Sequence, residues 1–121
     1  MVRTILVRHG QTAWNQVERF RGREYLPLDE TGRQQAVAAA RYLAATCTPS
    51  VVYTSPLQRA VETATAVADA CQVPTRIAPD LVDIDYGRWQ GLTPDEAAAL
   101  HPGLHQTWLE APHEVQFPGG E

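Results

Sequence analysis

The chain has 121 residues, 44% of them hydrophobic, which suits one small globular domain and is too short for two. A net charge of −4 argues against a general nucleic-acid-binding surface. No apolar run reaches membrane-spanning length and no signal peptide opens the chain, so the expectation is a soluble cytoplasmic protein with no membrane partner. Residues 3–7 read as a first strand, because Ile5, Leu6 and Val7 form the continuous aliphatic run of a strand covered on both faces. A polar, arginine-rich loop follows over residues 10–28.

"LDETGRQQAVAAARYLAA" predicts a helix with Asp29 as N-cap and with Ala36, Val37, Ala40, Leu43 and Ala44 on one face. Residues 50–55 predict a second strand. The next helix is expected to start at Ser55 as N-cap, with Pro56 in its first turn and Gln58 completing a capping box. Leu57, Ala60, Val61, Ala64, Val67, Ala68 and Cys71 would make its buried stripe. Residues 73–78 predict a third strand, which Pro74 favours at a sheet edge. A loop punctuated by Gly87 and Gly91 leads to a third helix, started by Thr93, Pro94 and Glu96 and ended by His101-Pro102-Gly103. The tail finishes in "FPGGE", a turn signal. Strand–helix alternation argues an α/β protein with a largely parallel sheet. Cys47 and Cys71 have no metal-type spacing and read as reduced, partly buried thiols.

The chemistry concentrates where "ILVRHGQTAWN" leaves its apolar run. In open α/β sheets, ligands bind just beyond the carboxyl ends of the strands, which is where Arg8 and His9 fall. Arg59 follows the second predicted strand, in the first turn of the next helix. If those two strands are neighbours, two guanidinium groups and an imidazole share one mouth beside a helix N-terminus, an assembly suited to a phosphoryl group. All ten basic residues are arginine, the better bidentate phosphate ligand.

"LVRHGQTAWN" together with "YTSPLQRAVETA" resembles the histidine phosphatase superfamily, the phosphoglycerate-mutase-like proteins. The resemblance runs in register through the chain: "NQVERFRGREYLPLDETGRQQA" resembles the segment after the family's Arg-His-Gly, "LVDIDYGRWQGLT" its acid-bearing loop, and "FPGGE" a later turn. It implies a three-layer α/β/α histidine-phosphatase domain with a mostly parallel sheet, represented here by its N-terminal portion. By the same resemblance, His9 is the nucleophile that becomes phosphorylated and Arg8 and Arg59 clamp the phosphate. Asn15 is a polar pocket residue, Arg21 and Gly22 line the substrate entrance, and Asp83 stands where the family usually has a glutamate proton donor. No metal or cofactor is implied, because the arginines supply the positive charge.

Two departures stand out. Asp83 is one methylene shorter than glutamate, and Asp85, two residues on, is a rival donor. The family also has a second phosphate-binding histidine, after a late hydrophobic strand and before glycine, which these residues lack; the chain is therefore read as part of a longer protein. His101, His105 and His113 are poor substitutes and are expected at the surface. The expected activity is hydrolysis of small phosphorylated metabolites through a phosphohistidine. The small broad-range branch fits the compact loop after Asn15. A cofactor-dependent phosphoglycerate mutase, or a non-catalytic interaction module, are the alternatives. The oligomeric state is left open, a homodimer included.

Overall fold

Asp29 opens the longest helix as its position predicts. In the computed structural model, which describes residues 1–121 in full, α1 is the short turn Ala13–Gln16 and α2 is Glu30–Thr46. The Asp29 carboxylate accepts the Gly32 N–H at 2.7 Å, satisfying a donor that the first helical turn leaves without an intrahelical partner. Strand β1 (Val52–Thr54) pairs in parallel with β2 (Thr75–Ile77), Val52 opposite Thr75 and Thr54 opposite Ile77, and α3 (Gln58–Cys71) makes the crossover between them. Two further helices, α4 (Pro94–Leu100) and α5 (Pro102–Glu110), follow a 3-10 turn at Gly87–Trp89.

The chain forms two compact units, Met1–Thr12 with Pro27–Leu81 and Ala13–Leu26 with Val82–Glu121. In the first, α2 lies against α3. Many of the buried residues of the pair are small: Gly32, Ala36 and Ala40 on α2, Ala64 and Ala68 on α3. Such residues let helix backbones approach closely, and Leu43 and Val67 fill the far end against Val52, Cys47 and Cys71. Val37 and Ala44, expected on the inner face of α2, are instead exposed, because the contact stripe with α3 is narrower than the helical pattern allows.

Two expectations for this unit are corrected. Residues 3–7 are not a strand: the sheet has two strands, β1 and β2, and Ile5, Leu6 and Val7 remain 40%, 92% and 42% exposed. An aliphatic run becomes a strand only when a neighbouring ladder takes up its N–H and C=O groups, and neither β1 nor β2 does so here. Helix α3 starts later than predicted, with Leu57 as N-cap and no side-chain cap. The Ser55 hydroxyl accepts the Leu57 N–H at 3.2 Å, so this serine closes a local turn two residues on and the capping box with Gln58 does not form.

The second unit is organised around Trp89, which is completely buried and packs with Ala97 and Phe117. Phe20 and Phe117 pack on its ring at centroid distances of 5.1 and 5.2 Å, and Tyr86 packs in turn on Phe20 and Phe117 at 5.1 and 5.0 Å, all in tilted or edge-on geometries. The Thr93–Glu96 capping box is present as predicted, with Pro94 in the first turn of α4. His101-Pro102-Gly103 ends α4 but also starts α5, since proline suits a first helical turn as well as it breaks the previous one. His101 and His105 are half-buried rather than exposed: Trp89 Nε1–H donates to His101 Nδ1 at 3.2 Å, and both imidazoles lie 6.3 Å from the indole. Only His113 is exposed as expected. Trp89→Ala should cost about 3–5 kcal/mol, the usual loss for emptying a large aromatic site. Chemical denaturation checks this, and a loss below 1 kcal/mol would mean that the cluster is not a core.

Candidate active site

The nucleophile candidate lies in the first unit. His9 is half-buried, and its Nδ1 lies 2.7 Å from the Gly10 carbonyl oxygen. A carbonyl only accepts, so Nδ1 carries the proton in this contact, and in the neutral ring the lone pair sits on Nε2. Next to it, the Gly10 N–H donates to Thr63 Oγ1 at 3.0 Å, and the Thr63 hydroxyl donates to the Arg59 carbonyl at 2.9 Å. A hydrogen-bonded path therefore joins the backbone beside His9 to the first turn of α3. Thr63 and Arg59 are 5% and 3% exposed.

The loop after His9 is tied to the start of α2. The Gln11 N–H donates to Gln35 Oε1 at 2.9 Å, Gln11 Nε2 donates to Asp29 Oδ2 at 2.9 Å, and the Asp29 N–H donates to the Gln11 carbonyl at 2.9 Å. Gly32 makes this approach possible, since a Cβ there would collide with the Gln11 backbone. Arg8, His9, Gly10, Gln35, Ala36, Ala39 and Thr63 line a cavity of about 230 Å³. Arg8 and His9 thus share one cavity. Arg59 does not line it, but is linked to it through Thr63.

Sequence reasoning missed Thr63 and the brace made by Gln11, Gln35 and Gly32. Thr63 had one visible signal: a hydroxyl four residues after Arg59, interrupting an alanine and valine stripe.

The remaining candidates lie in the second unit. Asn15 is half-buried on α1. Residues 20–23 are fixed to the loop over residues 83–92 by backbone bonds, Phe20 N–H to Leu92 O at 2.9 Å and Gly91 N–H to Phe20 O at 2.9 Å. Gly22 has φ +52°, and a Cβ there would meet the Ile84 carbonyl and the Gln90 side chain, so this close passage requires glycine. Arg23 extends the attachment, its Nε donating to the Asp83 carbonyl at 3.1 Å.

The two carboxylates differ in their surroundings. Asp83 is half-buried, and its Oδ1 accepts the Ile84 N–H at 2.8 Å. Asp85 closes a turn: its Oδ1 accepts the Gly87 N–H at 2.9 Å, while its backbone exchanges bonds with Glu121, whose Oε2 accepts the Asp85 N–H at 3.0 Å. The Tyr86 hydroxyl is held above the ordinary tyrosine pKa, first by burial and then by the Asp83 carboxylate, with the Arg21 charge opposing. Tyr86, Asp83 and Arg21 therefore lie within electrostatic reach of one another.

Comparison with known proteins matches this arrangement to one family. Residues 4–121 match the histidine phosphatase superfamily (branch 1). The chain is 44% identical over 119 residues to a bifunctional protein of Mycobacterium tuberculosis, covering 98% of this chain and 32% of that one. It is 37% identical over 121 residues to phosphoserine phosphatase 1 of Hydrogenobacter thermophilus, covering all of this chain and 57% of that one. The solved structure of mycobacterial glucosyl-3-phosphoglycerate phosphatase superposes with a TM-score of 0.82 at 36% identity, over 93% of this chain and 52% of that one. The chain thus spans between 32% and 57% of the length of these relatives. With the family model matched over residues 4–121 and the fold superposing on a solved member, the chain belongs to the histidine phosphatase superfamily and has its phosphoglycerate-mutase-like fold.

Proposed function

We propose that the protein carrying this chain hydrolyses small phosphate monoesters through a phosphohistidine on His9. The observation that carries this reading is the His9 Nδ1 contact with the Gly10 carbonyl, which leaves Nε2 as the nucleophilic nitrogen. In the first step Nε2 attacks phosphorus and the ester P–O bond breaks. The leaving oxygen takes the proton of Asp83, which occupies the family's acid position. In the second step water attacks the phosphorus of the phosphohistidine and gives its proton to the Asp83 carboxylate, while the P–Nε2 bond breaks, its electron pair returns to the imidazole and inorganic phosphate leaves. Arg8 and Arg59 carry the charge of the phosphoryl oxygens, so no metal is required.

Phosphatases among the relatives, of phosphoserine and of glucosyl-3-phosphoglycerate, favour hydrolysis over the mutase alternative. Asn15, Arg21 and Gly22 are assigned to substrate contact by position in the family. The half-buried free thiols of Cys47 and Cys71 suit a reducing cytoplasm.

The test is a rapid-quench experiment with a phosphate monoester in excess chelator. It should yield a base-stable, acid-labile phosphoprotein, with turnover unchanged when Mg²⁺ or Zn²⁺ is added. Activity lost in chelator and restored by metal would refute the arginine-only account.

A further inference from the structure

Gly10 is the softest joint in the loop that bears His9. It is buried against the first turn of α2, and a Cβ on it would collide with the Gly32 carbonyl, so the position admits no side chain. Glycine is the residue least able to fix its own backbone, and the direction of its carbonyl must be held from outside. Two side-chain oxygens do this, one on each side. Thr63 Oγ1 accepts the Gly10 N–H and so fixes the peptide plane between residues 9 and 10. Gln35 Oε1 accepts the Gln11 N–H and so fixes the plane between residues 10 and 11. That second plane also carries the Gly10 carbonyl, the acceptor of the His9 Nδ1–H. The N–H and C=O of a trans peptide point in opposite directions, so Gln35 on one side aims the carbonyl at the ring on the other.

A neutral imidazole has two tautomers. Only the one with its proton on Nδ1 leaves the lone pair on Nε2, the nitrogen that attacks in the proposed first step. A Gly10 carbonyl turned away would let the proton move to Nε2, and the lone pair would then face the backbone. His9, Gln35 and Thr63 line the same cavity, and all three belong to the first compact unit.

We propose that Thr63 and Gln35 are positioning residues of the phosphoryl transfer: by holding the two peptide planes at Gly10, they keep His9 in its Nδ1–H tautomer. This rests on the phosphohistidine reading and names what prepares its nucleophile. The Thr63 bond is buried, whereas Gln35 is exposed and its bond competes with water, so Thr63 contributes more.

The test uses the intact protein, p-nitrophenyl phosphate and ¹⁵N-labelled histidine. Nitrophenolate leaves with little help from an acid, so the rate of phosphoenzyme formation reads the nucleophile. Long-range ¹H–¹⁵N spectra at a pH where the ring is neutral show which nitrogen holds the proton, the His9 signals being those lost in His9→Ala. The wild type should show the Nδ1–H form. Thr63→Val should show a mixture of tautomers and form phosphohistidine about ten- to a hundredfold more slowly at saturating ester, with KM changed less than about twofold, the pattern of a misaligned nucleophile rather than of lost binding. Thr63→Ser should restore both readings. Gln35→Met should shift them the same way by a smaller factor, and its exposed position makes it the deciding variant if Thr63→Val does not fold. Wild-type rates in the folded variants overturn the inference, as does a slowed variant whose ring keeps the Nδ1 proton. A wild-type ring protonated on Nε2 overturns it without any variant and moves the attack to the other nitrogen, while the phosphohistidine itself stands. A wild type that forms no phosphohistidine overturns that reading, and the inference with it.

Discussion

His9→Ala should remove turnover and phosphoenzyme formation altogether while the protein stays folded. His9 is the residue whose ring tautomer is set by a backbone carbonyl in the cavity shared with Arg8, and none of the three other imidazoles of this chain lines that cavity. His101 and His105 are engaged with Trp89 in the aromatic core of the other unit, and His113 is at the surface beside Glu114. The substitution deletes a half-buried ring but leaves the Gly10–Thr63 bond intact, because that bond uses backbone N–H. Circular dichroism and melting should therefore match the wild type within about 1 kcal/mol, as expected away from a packed core. Retention of an acid-labile phosphoprotein in His9→Ala would move the nucleophile elsewhere.

The second large effect is expected at Asp83. A general acid matters most when the leaving group is a poor one. Asp83→Asn should lower hydrolysis of an alkyl phosphate by about 10²–10⁴, while formation of the phosphoenzyme from p-nitrophenyl phosphate should slow far less. Phosphohistidine should then accumulate, because water has lost its base. Asp83 has about 1.5 Å less reach than the family's glutamate. The segment that carries it is held by Arg23 and by the Ile84 N–H, which fixes where the shorter side chain starts. Asp85→Asn is the control. Its carboxylate closes the turn to Gly87, so the change should leave the leaving-group dependence untouched. Equal losses on both esters in Asp83→Asn, or the larger dependence in Asp85→Asn, would show that the acid is another group.

What could be read from the sequence was what nearby residues decide among themselves. Asp29 and the Thr93–Glu96 pair cap their helices as expected, because cap and capped N–H lie within three residues of each other. Parallel pairing of β1 with β2 followed from a strand, a helix and a strand in succession. Ser55 was misread because a turn and a cap use the same hydroxyl, and the turn prevails here. Residues 3–7 were misread because an aliphatic run says nothing about whether a ladder is available. The two histidines near Trp89 were misplaced by polarity alone; their partner lies 12 residues or more away in sequence. At the site, the expected strand before Arg8 and His9 does not form, although the two share a cavity, and Arg59 follows the strand Val52–Thr54 as expected without lining that cavity. Thr63 was not legible, because its role depends on an amide 53 residues away.

That separation bears on the order in which the first unit folds. Helices of this length form by local contacts on a submicrosecond scale, whereas closing a loop of 53 residues carries an entropic cost that grows with the logarithm of its length. The loop bearing His9 has no ladder of its own, so it can be ordered only after α2 and α3 have docked and offered Asp29, Gln35 and Thr63 as anchors. It is then the last part to assemble and the first to be released in a partial opening. Amide exchange at Gly10 measures that docking rather than the melting of the helices behind it. By linkage, whatever occupies the cavity at His9 stabilises the contact between α2 and α3, so that a ligand at the reactive end acts as a folding ligand for the helical layer beneath it.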